Sequence, residues 1–86
     1  MNINNLIAIV KKKLIDEIVI EKIDIEDKSF LHKKHTSNQK DKFHLKLIIV
    51  SNELKNLNRI ESNKKIYKVL DNEMKKYIHS LQILIY

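Results

Sequence analysis

The imidazole side chains available for coordination chemistry are His32, His35, His44 and His79. Neutral imidazole is a borderline ligand that suits zinc, copper and iron. His32 and His35 stand three apart in a polar stretch. His44 follows that stretch, and His79 sits where a helical pattern gives way to alternation. A zinc site wants four ligands, or three and a water. Spacing alone therefore reads the first three as solvated loop histidines and His79 as an ordinary junction residue. The chain has no cysteine, which excludes disulfides and a thiolate nucleophile. Thiolate for soft-metal chemistry has to come from a partner. Glycine is also absent, so there is no glycine-rich phosphate loop. Ser29 precedes His32 by three positions, but no orienting carboxylate or oxyanion donor accompanies them, and no enzymatic activity is expected.

The second chemistry to weigh is phosphate binding. Net charge is +6 with a pI near 9.6, a balance that usually points to nucleic acid or an anionic surface. Lys64, Lys65 and Lys68, with Lys75 and Lys76, would form the basic surface. However, the 86 residues include sixteen Lys, fifteen Ile and nine Asn, with a single Arg and no Gly, Pro or Trp. Those abundances fit an AT-rich coding sequence, and Lys lacks the bidentate fork with which Arg reads phosphate. Only five aromatics are present (Phe30, Phe43, Tyr67, Tyr77, Tyr86). With Tyr67 and Tyr77 expected in the core, a base-stacking platform is poorly supported.

The elements that position these residues follow from periodicity. Ile3, Leu6, Ile7, Val10 and Leu14 mark a helix of about Asn4 to Asp16, with Lys11, Lys12 and Lys13 in its last turns. Ile23 and Ile25 alternate with charged residues in a strand from Val19 or Ile20 to Glu26. Asp27 to Lys42 has no period and reads as a long loop, a length that goes with function or disorder. His44 to Ser51 is a second strand with Leu45, Leu47 and Ile49 on one face. Leu54, Leu57 and Ile60 suggest a short helix or turn. Tyr67, Leu70, Met74 and Ile78 predict one amphipathic helix of about Asn63 to Tyr77. Leu81, Ile83 and Ile85 alternate in a last strand. The expectation is a single α+β domain over residues 1–86, ordered helix–strand–strand–helix–helix–strand, with helices on one face of a three-stranded sheet. No run of eighteen apolar residues suggests a membrane span. The start Met1-Asn2-Ile3-Asn4-Asn5 lacks a secretory signal, so a cytoplasmic chain is expected.

Three blocks together resemble the BolA-like family. Asp27-Lys28-Ser29-Phe30-Leu31-His32 resembles its Asp-x-Ser-x-x-(His or Cys) loop opening. His44-Leu45-Lys46-Leu47-Ile48-Ile49-Val50-Ser51 is similar to its His-Phe-x-Val-x-(hydrophobic)-Val-Ser strand. Lys65-Ile66-Tyr67-Lys68-Val69-Leu70-Asp71-Asn72-Glu73, followed by Ile78-His79-Ser80-Leu81-Gln82-Ile83, resembles its last helix and the start of its last strand. The resemblance implies a fold similar to the type II K-homology arrangement. It also implies a monothiol glutaredoxin as partner and a [2Fe–2S] cluster shared with it, the glutaredoxin bringing its cysteine and a bound glutathione. His79 matches the family's C-terminal histidine ligand and His32 its loop ligand, with His35 and His44 as alternatives. The chain alone is expected to be a monomer or weak homodimer. Some members are regarded as transcriptional regulators, so the alternative is a nucleic-acid-binding regulator using Lys64, Lys65 and Lys68. Against it, K-homology clamps use Gly-x-x-Gly. The chain departs from the family at Ser62-Asn63-Lys64, where an Arg-His-Arg is frequent, at Leu54-Lys55-Asn56, where Phe-x-Gly is frequent, and in having no Thr-Pro-x-x-Trp tail.

Overall fold

The computed structural model describes residues 1–29 and 42–86. In order, the elements are α1 (Ile3–Glu17), β1 (Lys22–Asp27), β2 (Phe43–Val50), α2 (Asn52–Lys55), α3 (Arg59–Val69), α4 (Asp71–Lys76) and β3 (Ile78–Ile85). The three strands form one sheet in the order β1-β2-β3. β1 and β2 are antiparallel, whereas β2 and β3 are parallel. A parallel neighbour requires a crossover, and α2, α3 and α4 supply it. The result is an α+β fold with a mixed sheet, as the alternation and helical periods predict.

The core lies between the helices and one face of the sheet. Leu6, Val10 and Leu14 recur at i, i+4 and i+8 along α1, and all three are fully buried. On the sheet, Ile23, Ile49 and Ile85 lie in one row across three strands, and Ile25, Leu47 and Ile83 in the next. Ile66 from α3, Leu70 at the α3–α4 joint and Leu54 from α2 close the layer. Each fully buried aliphatic side chain of this kind contributes about 1.5–3 kcal/mol. Among the described residues no helix is long and apolar enough to cross a membrane.

Caps take the place of glycine in punctuating the chain. Asn2 Oδ1 accepts from the Asn5 N–H at the start of α1. Asn58 Oδ1 does the same for Glu61 at the start of α3. Ser51 is completely buried and its hydroxyl serves two partners. Its Oγ accepts from the Leu54 N–H at the start of α2 and donates to the Val19 carbonyl at 2.7 Å. No described residue has a positive φ.

The structure corrects several sequence expectations. Rather than one helix from Asn63 to Tyr77, α3 ends and α4 begins at Leu70, whose φ of −96° and ψ of 16° leave the helical region. The core face of α3 is Ser62 and Ile66, continued by Leu70 at its end, so Tyr67 is not a core residue and is 40% exposed. On α4, which follows Leu70, the buried residue is Glu73, with Met74 partly buried against the core beside it. Likewise α2 stops at Lys55, and of the Leu54–Leu57–Ile60 line only Leu54 is buried. α1 runs on to Glu17, which leaves the lysine run in mid-helix with no basic residue in the last turn. Lys13 is therefore not a solvated helix end: its ammonium meets Glu73 Oε2 at 2.7 Å.

This Lys13–Glu73 pair ties α1 to α4 just before β3. The Glu73 side chain is 4% exposed. Burial pushes its carboxyl up, but hydrogen bonds from Lys13 and Asn72 and its own backbone outweigh burial and hold it below the ordinary 4.5. A carboxylate depressed in the folded state stabilises fully above its unfolded value, and that stability is lost as pH falls through the folded value. Stability measured by urea unfolding should thus fall as pH drops below about 4.5, and Glu73→Gln should flatten this part of the profile. An unchanged profile in the variant would remove Glu73 from the acid transition.

Candidate functional site

β3 enters the sheet with an irregularity that builds the site. Phe43 pairs with Ile78, but the next residue of β2, His44, pairs with Ser80. His79 is thus an extra residue on β3, a β-bulge at the strand's first turn into the sheet. Ile78 is buried and Leu81 packs on the core, so His79 and Ser80 both come out on the face away from the helices. That is also the side to which His44 points, being one residue out of phase with Leu45. The imidazoles of His44 and His79 consequently meet edge to face, with ring centroids 4.9 Å apart and planes inclined by 66°. His79 is exposed and His44 half-buried.

Polar contacts hold His44 from two sides. Its Nδ1 lies 2.6 Å from Ser80 Oγ, so ligation by His44 would run through Nε2. Its backbone N–H donates to Ser29 Oγ, and its carbonyl accepts from the Lys28 N–H at 2.7 Å. Asp27 Oδ1 in turn accepts from the Ser29 N–H, a short Asx turn that ends β1. Asp27 and Ser29 therefore have a plain structural task, which is to fix the backbone of His44 at the mouth of the β1–β2 connection.

Of the histidines singled out from sequence, His44 and His79 are brought together, while His32 and His35 lie outside the described residues. Among the described residues no group of three or more His, Asp or Glu could hold a metal ion. Two imidazoles make half a site, so a metal held here needs further ligands from the 30–41 segment or from another molecule.

A family model described as BolA-like protein matches residues 14–86. This chain belongs to the BolA-like family. A relative from Haemophilus influenzae, named as the DNA-binding transcriptional regulator BolA, is 32% identical over 75 residues, 87% of this chain and 70% of that protein. The BolA domain of SufE1 from Arabidopsis thaliana superposes with a TM-score of 0.78 at 25% identity, covering 99% of this chain and 92% of the domain. BolA1 from the same plant gives a TM-score of 0.73 at 24% identity, covering 91% of this chain and 86% of that one. This last likeness speaks for the fold alone.

The basic residues of this BolA-like chain are less concentrated than their spacing suggests. Lys64 and Lys68 are exposed on α3, four residues apart. Lys65 is turned toward α2 and pairs with Glu53 at 2.8 Å. The Lys65 hydrogen bond, then that from the Val19 amide, holds the Glu53 carboxyl below its ordinary value. Glu61 and Asp71 share the same hollow as Lys64 and Lys68.

Sequence reasoning missed Ser80 and the orienting role of Ser29. Nothing in the linear sequence couples His44 to Ser80, 36 positions away. Only the bulged register does so. Ser80→Ala removes the hydroxyl contact to Nδ1 and should shift the His44 signals in the imidazole nitrogen spectrum. At an exposed site this should cost no more than about 1 kcal/mol of stability. A spectrum unchanged from the wild type would show that Ser80 does not set the ring.

Proposed function

We propose that this BolA-like protein is a cytoplasmic adaptor that binds a monothiol glutaredoxin and shares a [2Fe–2S] cluster with it, in cluster delivery or iron regulation. The observation that carries the reading is the His44–His79 pair, two imidazoles on one face of the bulge in a chain without cysteine. Histidine can replace cysteine on one iron of a [2Fe–2S] centre and raises its potential. The donor set fits half of a shared cluster and does not fit a site closed by this chain's described residues. His79 would be the fixed ligand. The second would be His32 by motif, with His35 and His44 as alternatives. The glutaredoxin cysteine and its glutathione would complete the set.

The cluster, when bound, supplies a one-electron couple and a transferable iron–sulfur unit. The chain's own residues divide the remaining work. The bulge sets where His79 stands, and the Lys13–Glu73 pair holds the end of α4 from which β3 departs. Ser29 and Ser80 keep the neighbouring His44 in one orientation. A ligand fixed on the sheet and a second on the connection between β1 and β2 allow one bond to be exchanged while the other persists.

A second reading is favoured by the name of the Haemophilus influenzae relative. On it, the chain is a nucleic-acid-binding regulator whose Lys64 and Lys68 contact phosphates, with Lys65 diverted to Glu53. Its affinity for DNA would fall steeply with salt.

The deciding experiment mixes the purified protein with a glutathione-loaded monothiol glutaredoxin carrying its cluster, read by visible absorption and circular dichroism. Wild type should give a new spectrum that His79→Ala abolishes. Loss in His32→Ala, His35→Ala or His44→Ala then assigns the second ligand. A wild type that forms no complex and leaves the spectrum unchanged sinks the cluster reading, and salt-dependent DNA binding would then carry the second.

A further inference from the structure

β1 and β3 are the two edges of the sheet, and they are built oppositely. β1 reads Lys-Ile-Asp-Ile-Glu-Asp, with a charge at every second position and at its end. Charges of this kind keep an edge from pairing with another chain. β3 reads Ile-His-Ser-Leu-Gln-Ile-Leu-Ile, eight residues without Lys, Arg, Asp, Glu or Pro.

The outer side of β3 also has unused pairing groups. At its end, the Tyr86 N–H donates to the Ile49 carbonyl and the Tyr86 carbonyl accepts from the Ser51 N–H. Tyr86 thus turns both backbone groups toward β2. The two-residue period of a strand then turns those of Leu81, Ile83 and Ile85 outward. Leu81 confirms the phase, because its carbonyl accepts from the Tyr67 hydroxyl at 3.5 Å. Among the described residues nothing caps Ile83 or Ile85 in this way.

Beside these two residues lies a groove of about 300 Å³ between the C-terminal half of β3 and the segment from α2 to the start of α3. Ile83 and Ile85 are only half-buried, since this segment stands off from them. Leu57 and Tyr86, 38% and 58% exposed, form its apolar walls. Lys55 and Arg59 line its rim, and neither has an ion-pair partner among the described residues.

We propose that the outer edge of β3 at Ile83 and Ile85 is a docking site for an extended acidic peptide that adds a fourth strand to the sheet. The peptide's backbone pairs with the outward groups of Ile83 and Ile85. Its alternate apolar side chains enter the groove, and its carboxylates meet Lys55 and Arg59. A second copy of this chain fits less well. Its β3 brings no carboxylate to that rim, and two chains of charge +6 repel. Single-stranded nucleic acid wants successive aromatic stacking surfaces, whereas the floor here is isoleucine and Tyr86 is the single aromatic lining the groove. The site is roughly 13–20 Å along β3 from His79, so it is separate from the histidine pair and does not depend on the cluster reading.

The test titrates the 15N-labelled full chain with a short peptide alternating Glu and Val. Parallel titrations use the same peptide with Lys for Glu, and a short oligothymidine strand. The acidic peptide should shift and protect the amides of Ile83 and Ile85, and the Lys peptide should leave them unmoved. Proline is tolerated at an edge position whose N–H faces outward, so Ile83→Pro should weaken binding about tenfold or more. The exposed double variant Lys55→Glu with Arg59→Glu preserves the strand. It should weaken binding about three- to tenfold and remove its salt dependence. Binding indifferent to both variants overturns the proposal, as do unmoved Ile83 and Ile85 amides in the wild type. Tighter binding of oligothymidine at the same amides also overturns it in favour of nucleic acid. Concentration-dependent shifts of those amides without peptide overturn it in favour of a second copy.

Discussion

The parallel pairing of β2 with β3 is the constraint on which the rest of this molecule depends. A parallel neighbour cannot be reached by a tight turn, so the chain must leave β2 at Val50, cross over one face of the sheet and return at Ile78. The crossover helices are the lid of the core, and their apolar stripes face the Leu45–Leu47–Ile49 row because that row is where the pairing puts them. The bulge at Ile78–Ser80 is the point where the returning chain is brought into register. The bulge sets Ser80 opposite His44 and leaves His79 on the same face beside it, where the two rings meet edge to face. The histidine pair is therefore a by-product of how β3 enters the sheet.

Electrostatics serves the same end. A carboxylate in a core of this size is costly unless paired. Glu73 is accepted because α4 bends away from α3 at Leu70 and presents it to Lys13. One interaction thus decides two things: where the second half of the predicted long helix points, and from where β3 starts. Glu53 does related work at the surface, taking Lys65 on one oxygen and the Val19 amide on the other. It joins the α1–β1 connection to the crossover, and in doing so withdraws a lysine from the basic face of α3.

Much of this was legible in the sequence. The period-two strands and the α1 stripe of Leu6, Val10 and Leu14 are visible because burial on one face leaves a linear signature. His79 stood out because a helical period ends beside it. What was not legible came from three-dimensional register and from charge. The apolar line Tyr67–Leu70–Met74–Ile78 is a genuine helical pattern, yet a buried glutamate competes with it, and no hydropathy count foresees a Lys13 sixty positions away. The His44–Ser80 contact depends on a one-residue bulge, which periodicity does not encode. The lysines Lys64, Lys65 and Lys68 look equivalent by spacing, and only the placement of Glu53 distinguishes the middle one.

The absence of any positive φ among the described residues bears on the chain before it folds. A glycine explores both halves of backbone space when unfolded and surrenders that freedom in the native state. Replacing one at a compatible position stabilises by about 0.4–1 kcal/mol. This chain, with no glycine and fifteen isoleucines stiff at χ1, begins from a narrower unfolded ensemble than its length suggests. The starts of α1, α2 and α3 are made by Asn and Ser caps at ordinary negative φ. A small core is thereby asked to offset less disorder.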